Sequence, residues 1–305
     1  RISHCHRLLG NAPKVVTRVR NPRELHACLQ SAVLLTPAIV LPGDRVPDDT
    51  HWISKPLRSC GGMGISVYDS ASAAAMRLAK SNRNHYLQQF IEGRPVASVF
   101  VAFNGKVELL GVTRQLCGPA WGAPGPFQYA GSIGPIKSPT GLRGQLQQLG
   151  DVLTAQFELR GLFGVDGVLN DNAFWTVEVN PRYTASVEIL ERATNESAMA
   201  KQFAAFGLKA SPTGFPESQS APIHAKTIVY AENAGKVGDQ FVRLAESLST
   251  DVNLPLIADI PPKGTLLQCG QPICTVFAWG DDEAQVERAL RRRAYEARSA
   301  TVEAE

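Results

Sequence analysis

Thr176-Val-Glu-Val-Asn-Pro-Arg182 sets a carboxylate, an amide and a guanidinium at alternate positions: Glu178, Asn180 and Arg182. On an extended strand, alternate side chains point to the same face, so the three line one wall. Carboxylate and amide oxygens are hard ligands suited to Mg²⁺, and Mg²⁺ usually travels with phosphates. An arginine beside them can grip an anion with a planar fork of donors. The combination suggests nucleotide-dependent chemistry on an acidic substrate. Taken alone, the same segment also reads as a solvated strand edge.

The preceding sequence strengthens the first reading. Strand-like runs over 161–169 and 173–179 flank Asn170-Asp-Asn172 and predict a hairpin. Antiparallel pairing brings Asp166 beside Glu178. A carboxylate on a sheet commonly faces water. Asp166 nevertheless sits in an apolar setting with Val165 and Val168, where an unpaired charge is costly. Further upstream, Trp52-Ile-Ser-Lys-Pro-Leu-Arg-Ser-Cys-Gly-Gly-Met-Gly-Ile65 sets Lys55 at a strand end before a turn carrying Gly61, Gly62 and Gly64. Glycines let backbone N–H groups approach phosphate oxygens, and Lys55 adds a point charge. The lysine precedes the glycines and no Gly-Lys-Ser/Thr follows, so this is not a P-loop. A tight turn with a surface lysine is the plainer alternative. Tyr86-Leu-Gln-Gln-Phe-Ile-Glu-Gly93 is a strand that breaks into a loop. Such a break exposes the backbone donors and acceptors that an adenine edge requires, although an ordinary strand end has the same pattern.

Around these segments the chain alternates helix and strand signals. Helices are predicted over 21–31, 70–80, 142–157, 187–206 and 282–298. Asn21 is a plausible cap, Pro22 suits the first turn, and Leu25, Cys28 and Leu29 form an apolar stripe. Asn104-Gly105, between runs over 96–103 and 106–113, is a strong hairpin signal. Residues 117–139 read as a long loop rich in Gly and Pro, with Trp121, Phe127 and Tyr129. Residues 211–221 read as a linker, followed by short strands over 225–230, 264–267 and 273–277.

Bulk properties narrow the class. The 305 residues suffice for two domains, and 44% hydrophobic content can supply a core. A formal net charge of +3 is too small to make nucleic acid the main partner. No apolar run reaches the length of a membrane span. The six cysteines are scattered without a CxxC pair, which argues against a zinc site and for free thiols in a reducing cytoplasm. The first residue is Arg1, without a recognisable signal peptide, so an upstream segment is expected to be missing.

In order, Lys55, the glycine turn, the strand ending near Ile91, and the acidic strands with Glu-x-Asn-Pro-Arg resemble the ATP-grasp superfamily from about Asn21 to Phe206. The Glu-x-Asn-Pro-Arg element looks most like the carboxylase and carboligase branch. Residues 226–279 resemble the C-terminal domain of uncharacterised carboligases related to biotin carboxylase. The resemblance implies an α+β fold: two α+β subdomains clasping ATP and a small β-rich C-terminal domain. It places a remnant of a truncated N-terminal α/β domain or linker at 1–20, a small subdomain at 21–97, a large one at 98–210 and the C-terminal domain at 222–305. Lys55 would contact ATP phosphates, and Gly61, Gly62 and Gly64 would form a mobile flap. Gln88, Gln89 and Ile91 would hold the adenine segment. Asp166, Glu178 and Asn180 would surround Mg²⁺, with Mn²⁺ as a substitute, and Arg182 would hold a carboxylate or acyl phosphate.

The implied activity is a carboxylate–amine ligase that turns ATP into ADP and phosphate. The implied partners are small-molecule acids and amines, with a homodimer as a family-level expectation. A biotin-carboxylase-like subunit activating bicarbonate and a nucleotide-binding module without turnover are the alternatives. Three departures stand out. Gln88 replaces the Glu that commonly begins the hinge strand, Pro95 falls where some members carry a ribose-binding Glu, and the second phosphate lysine has only Arg23 or Lys14 as candidates. On this reading Lys55 and Glu178 face one cleft despite their separation in sequence.

Overall fold

The computed structural model describes residues 6–47, 51–69, 84–137, 139, 141–209, 223–251 and 254–303. The helix expected over 70–80 and the linker over 211–221 lie outside the described residues. The chain forms two compact units. The first comprises residues 1–112, 137–187 and 197–213, and the second residues 113–136, 188–196 and 214–305.

The first unit opens with α1 (Pro13–Val19) and α2 (Pro22–Ser31). The Asn21 side chain accepts from the Arg23 N–H, and Leu25, Cys28 and Leu29 are buried, as the sequence pattern requires. Four strands follow: β1 (Ile39–Val40), β2 (Trp52–Pro56), β3 (Ser66–Tyr68) and β4 (His85–Gln89). They pair antiparallel in the order β1-β4-β2-β3. Register sets Lys55 opposite Tyr86 and Ile53 opposite Gln88, so Lys55 and Gln88 are diagonal neighbours on one face.

The larger sheet of this unit runs through residues 106–112 of β6 (Lys106–Cys117), then β5 (Arg94–Phe103), β8 (Gly161–Asn170) and β9 (Ala173–Asn180). Asn104 and Gly105 have φ of 50° and 73°, and Asp171 and Asn172 have 45° and 67°. These left-handed pairs match the twist of the flanking strands and close both hairpins tightly. Phe100 and Phe163 oppose one another in β5 and β8, are fully buried, and stack with ring centroids 5.0 Å apart. The helix α3 (Leu142–Phe157) packs on them through Gly150, where a Cβ would meet the Phe100 ring at 3.0 Å.

The sequence predicts one helix over 187–206, but the structure has two, α4 (Ala185–Thr194) and α5 (Ala198–Ala205). Asn195 takes a left-handed φ of 57°, and the Ser197 hydroxyl caps α5 by accepting from the Ala200 N–H. Two local stop-and-start signals thus override a continuous apolar pattern.

The second unit contains residues 113–117 of β6 with β7 (Tyr129–Gly134), β10 (Ile223–Tyr230), β14 (Pro272–Gly280) and β12 (Ile257–Ala258), in the order β12-β14-β10-β7-β6. The region read as a long loop therefore contains a central strand. Two helices, α6 (Asp239–Leu248) and α7 (Glu283–Thr301), complete its core. A small sheet joins β11 (Gly235–Val237), β13 (Leu266–Leu267) and β15 (Val302–Glu303). Arg114 holds α7 through bonds of 2.9 Å to Glu283 and 2.7 Å to Glu287, and Arg291 lies 3.8 Å from the centre of the Trp121 ring. Those contacts explain Trp121 as packing. The five described cysteines are free thiols. Among the described residues, no helix is long and apolar enough to cross a membrane.

The Phe100–Phe163 stack anchors the face of the first unit opposite its carboxylates. Phe100→Ala should destabilise the protein by about 3–5 kcal/mol, read as a lowered denaturant midpoint with retained far-ultraviolet circular dichroism.

Candidate functional site

Strand pairing brings the acidic residues together. Asp166 is the cross-strand partner of Glu178, and Gly164 is the partner of Asn180. Alternation along β8 and β9 therefore puts Asp166, Glu178 and Asn180 on one face. Asn180 Nδ2 donates to Asp166 Oδ2 at 2.8 Å, which leaves the amide oxygen as an acceptor. Gly164 keeps this corner open for Thr184, whose Cγ2 would lie 2.6 Å from an added Cβ.

The alternation is not continuous along the opening segment. Gly167 pairs with Thr176, whereas Asp166 pairs with Glu178, so Val177 is the extra residue of a β-bulge. The bulge turns Glu178 onto the face opposite Thr176. At the other end, β9 stops at Asn180. Arg182 lies beyond it in a turn closed by its N–H to the Asn180 carbonyl at 2.8 Å. Its guanidinium is exposed and donates to the Tyr183 carbonyl at 3.0 Å. The expected wall of three side chains on a single strand thus ends at Asn180.

Glu178 lines a cleft of the first unit, about 570 Å³ including its open mouth, together with Lys55, Gln88, Tyr86, Arg20 and Ser59. Lys55 is only 4% exposed. A buried ammonium is costly unless paired and hydrogen-bonded. Here Lys55 Nζ donates to Gln88 Oε1 at 3.1 Å, stands 3.9 Å from Glu178 Oε2, and lies 5.9 Å from the Tyr86 ring centre. Arg20 approaches the other carboxylate oxygen at 3.7 Å and donates to the Ser59 carbonyl at 3.0 Å. Burial raises the Tyr86 phenol above its ordinary range, the nearby Lys55 charge opposing it.

Arg20 is the cation that sequence reading missed. Arg23 is exposed on α2 and Lys14 lies in α1; neither lines the cleft. Arg20 is the C-cap of α1, one residue before the Asn21 cap of α2. That juncture is visible in sequence, but the direction of the side chain is not. His26 also lines the cleft, and burial lowers its pKa.

The other expected residues have distinct settings. Gly61, Gly62 and Gly64 have φ of 60°, 75° and 75° in the loop joining β2 to β3. Side chains resist those conformations. Gln89 is occupied with Ala38: its N–H donates to the Ala38 carbonyl at 2.8 Å, and its side-chain oxygen accepts from the Ala38 N–H at 3.1 Å. Ile91 lies two residues past the end of β4. Gln88 points into the protein, 4% exposed, with its amide held at both ends. The cleft therefore joins Lys55, Gln88 and Glu178 with Arg20, while Asp166 and Asn180 share the face of Glu178. The three glycines, Gln89, Ile91 and Arg182 do not line it.

Among the described residues, no group of three or more His, Cys, Asp or Glu side chains is arranged for a metal ion. Two carboxylates and an amide oxygen still fit Mg²⁺, which commonly takes one or two carboxylates and completes its octahedron with phosphate and water.

Residues 20–186 match the family model described as ATP-grasp domain. An uncharacterized protein of Methanocaldococcus jannaschii is 20% identical over 283 residues, covering 89% of this chain and 63% of that protein. The chain thus spans less than two thirds of that relative. The fold is similar to an L-amino acid ligase from Bacillus licheniformis, with a TM-score of 0.68 and 15% identity, over 96% of this chain and 75% of that one. It is also similar to a carboxyaminoimidazole ribonucleotide synthase from Aspergillus clavatus complexed with ATP, with a TM-score of 0.69 and 13% identity, over 98% and 78% of the two chains. A biotin carboxylase domain from Hydrogenobacter thermophilus, in complex with MgADP and bicarbonate, gives a TM-score of 0.64 and 14% identity over 93% and 67%.

Alkaline titration of tyrosine absorbance tests the site's burial. Tyr86→Phe should remove a phenol that ionises above the usual value near 10; loss of a phenol titrating at or below that value would contradict the buried setting.

Proposed function

The chain belongs to the ATP-grasp family, and on that premise we propose that it is an ATP- and Mg²⁺-dependent ligase joining a carboxylate to an amine. ATP supplies the activating phosphoryl group: an oxygen of the substrate carboxylate attacks the γ-phosphorus, ADP leaves, and an amine then displaces phosphate from the acyl phosphate. The observation that carries this reading is the cleft in which Lys55 Nζ and Glu178 Oε2 lie 3.9 Å apart. A fixed ammonium and a metal-binding carboxylate in one pocket are what phosphoryl transfer requires, since it depends mainly on positioning and charge stabilisation.

In this reading Lys55 and Arg20 face the phosphates. Glu178, Asp166 and the Asn180 amide oxygen would hold Mg²⁺, whose charge would offset that of the phosphates. Gly61, Gly62 and Gly64 present backbone N–H groups above the phosphates. The end of β4, from Gln89 to Ile91, offers the backbone edge for adenine. Arg182, exposed past β9, holds the substrate carboxylate or the acyl phosphate. No serine or cysteine nucleophile is needed. Cys60 adjoins the glycines, but no activating partner for its thiolate is evident in the sequence.

Glu178→Gln should weaken Mg²⁺-dependent ATP use by about 10²-fold or more, the scale of losing one charged group aimed at the reacting phosphates. Arg182→Ala should leave ATP affinity within about threefold while cutting turnover by about 10²-fold. ADP release across a panel of acids and amines, with bicarbonate included, provides the readout. Bicarbonate-dependent release without an amine product would favour carboxylation. ATP binding without ADP release for any pair would favour a nucleotide-binding module. Wild-type turnover in both variants would remove the site assignment.

A further inference from the structure

Gln88 occupies an unusual position between the two halves of the cleft's chemistry. Its side-chain oxygen accepts from Lys55 Nζ at 3.1 Å, and its amide nitrogen donates to the Val177 carbonyl at 3.3 Å. Val177 is the bulged residue immediately before Glu178, without a cross-strand partner in β8. One buried, neutral amide thus ties the cation on β2 to the carboxylate strand β9. We propose that Gln88 is a positioning residue that couples nucleotide binding at Lys55 to metal binding at Glu178. This rests on the ATP-grasp reading of the cleft given above.

Gln is well matched to both partners. An ammonium needs an acceptor and a carbonyl needs a donor, and a side-chain amide supplies one of each without charge. Glutamate at this position would keep the acceptor, lose the donor, and direct a negative oxygen toward the Val177 carbonyl. Methionine would fill a similar volume and satisfy neither group.

The charges around Gln88 make the coupling directional. Lys55 and Arg20 face one carboxylate, Glu178, at 3.9 and 3.7 Å. Both separations exceed hydrogen-bond length, so Glu178 compensates the cations without being locked to either. When Glu178 turns to a divalent cation, Lys55 loses its main counter-charge and favours phosphate. Gln88 holds the ammonium in reach during that exchange and fixes the bulge that aims Glu178.

Calorimetric titration of a non-hydrolysable ATP analogue, in Mg²⁺ and in EDTA, tests the coupling. In wild type, Mg²⁺ should tighten binding. In Gln88→Met the ratio of the two affinities should fall by about tenfold, the scale of one hydrogen bond to a charged group. Thermal melting establishes that the variant is folded. A folded Gln88→Met with the wild-type ratio would overturn the role of Gln88 while leaving the ligase reading intact. Wild-type protein that binds the analogue in neither buffer would overturn both.

Discussion

The buried ammonium of Lys55 is the constraint around which the first unit's site is organised. An unpaired charge in that position would cost several kcal/mol, and the protein meets the demand with three side chains from two strands. Gln88 on β4 supplies a direct hydrogen bond, Glu178 on β9 supplies the opposite charge, and Tyr86 places its ring nearby. Removing any one leaves Lys55 partly uncompensated. Its surroundings are therefore fixed by electrostatics as much as by apolar packing. The same demand explains why β9 bulges at Val177: a regular strand would keep Glu178 on the face of Thr176.

The backbone supports this arrangement at both edges. The Thr176 N–H donates to the Leu35 carbonyl at 2.9 Å, and the Thr36 hydroxyl donates to the Thr176 carbonyl at 3.3 Å. These bonds join the segment before β1 to β9 just ahead of the bulge. With the Gln88 bond to Val177, consecutive residues of β9 are held from outside their own sheet. The glycine loop is a contrasting element. Its three left-handed glycines lie in the loop joining β2 to the edge strand β3, and Met63 and Val67 there are 52% and 65% exposed. With few buried apolar contacts, this region belongs to the low-stability end of the fold.

Local chemistry was legible in the sequence wherever it acted locally. Asn104-Gly105 and Asp171-Asn172 encode their own turns, and the second hairpin set the Asp166–Glu178 pairing correctly. The apolar period over 142–157 gave α3 at its observed bounds. The strand β7 was hidden because its Gly-rich sequence, Tyr129-Ala-Gly-Ser-Ile-Gly134, carries a loop composition. Gly131 is required there because an added Cβ would meet the Lys226 carbonyl oxygen at 2.1 Å, a tertiary fact. Arg20 and the double role of the Gln88 amide were equally out of reach. Both depend on contacts between residues distant in sequence, and no spacing rule encodes the direction of a side chain across such gaps.

Glu188 shows how the structure separates a site carboxylate from a packing one. Both Glu178 and Glu188 lie near two cations, and both side chains are about one-third exposed, 34% and 32%. Glu188, in the second unit, accepts from Lys226 at 2.7 Å and from Arg192 at 3.2 Å, while Arg192 stacks 3.8 Å from the Phe277 ring centre. Its oxygens are committed to short, directed bonds that pin α4 to β10, so recruiting it to a ligand would mean breaking them. Glu178 has equivalent charges at 3.7 and 3.9 Å and no comparably short bond to either. Charge-assisted bonds strengthen sharply near 2.8 Å, so Glu178 has the greater capacity left for an incoming cation. That difference in commitment, rather than the sign or number of neighbours, favours Glu178 over Glu188 as the carboxylate proposed to take a metal ion.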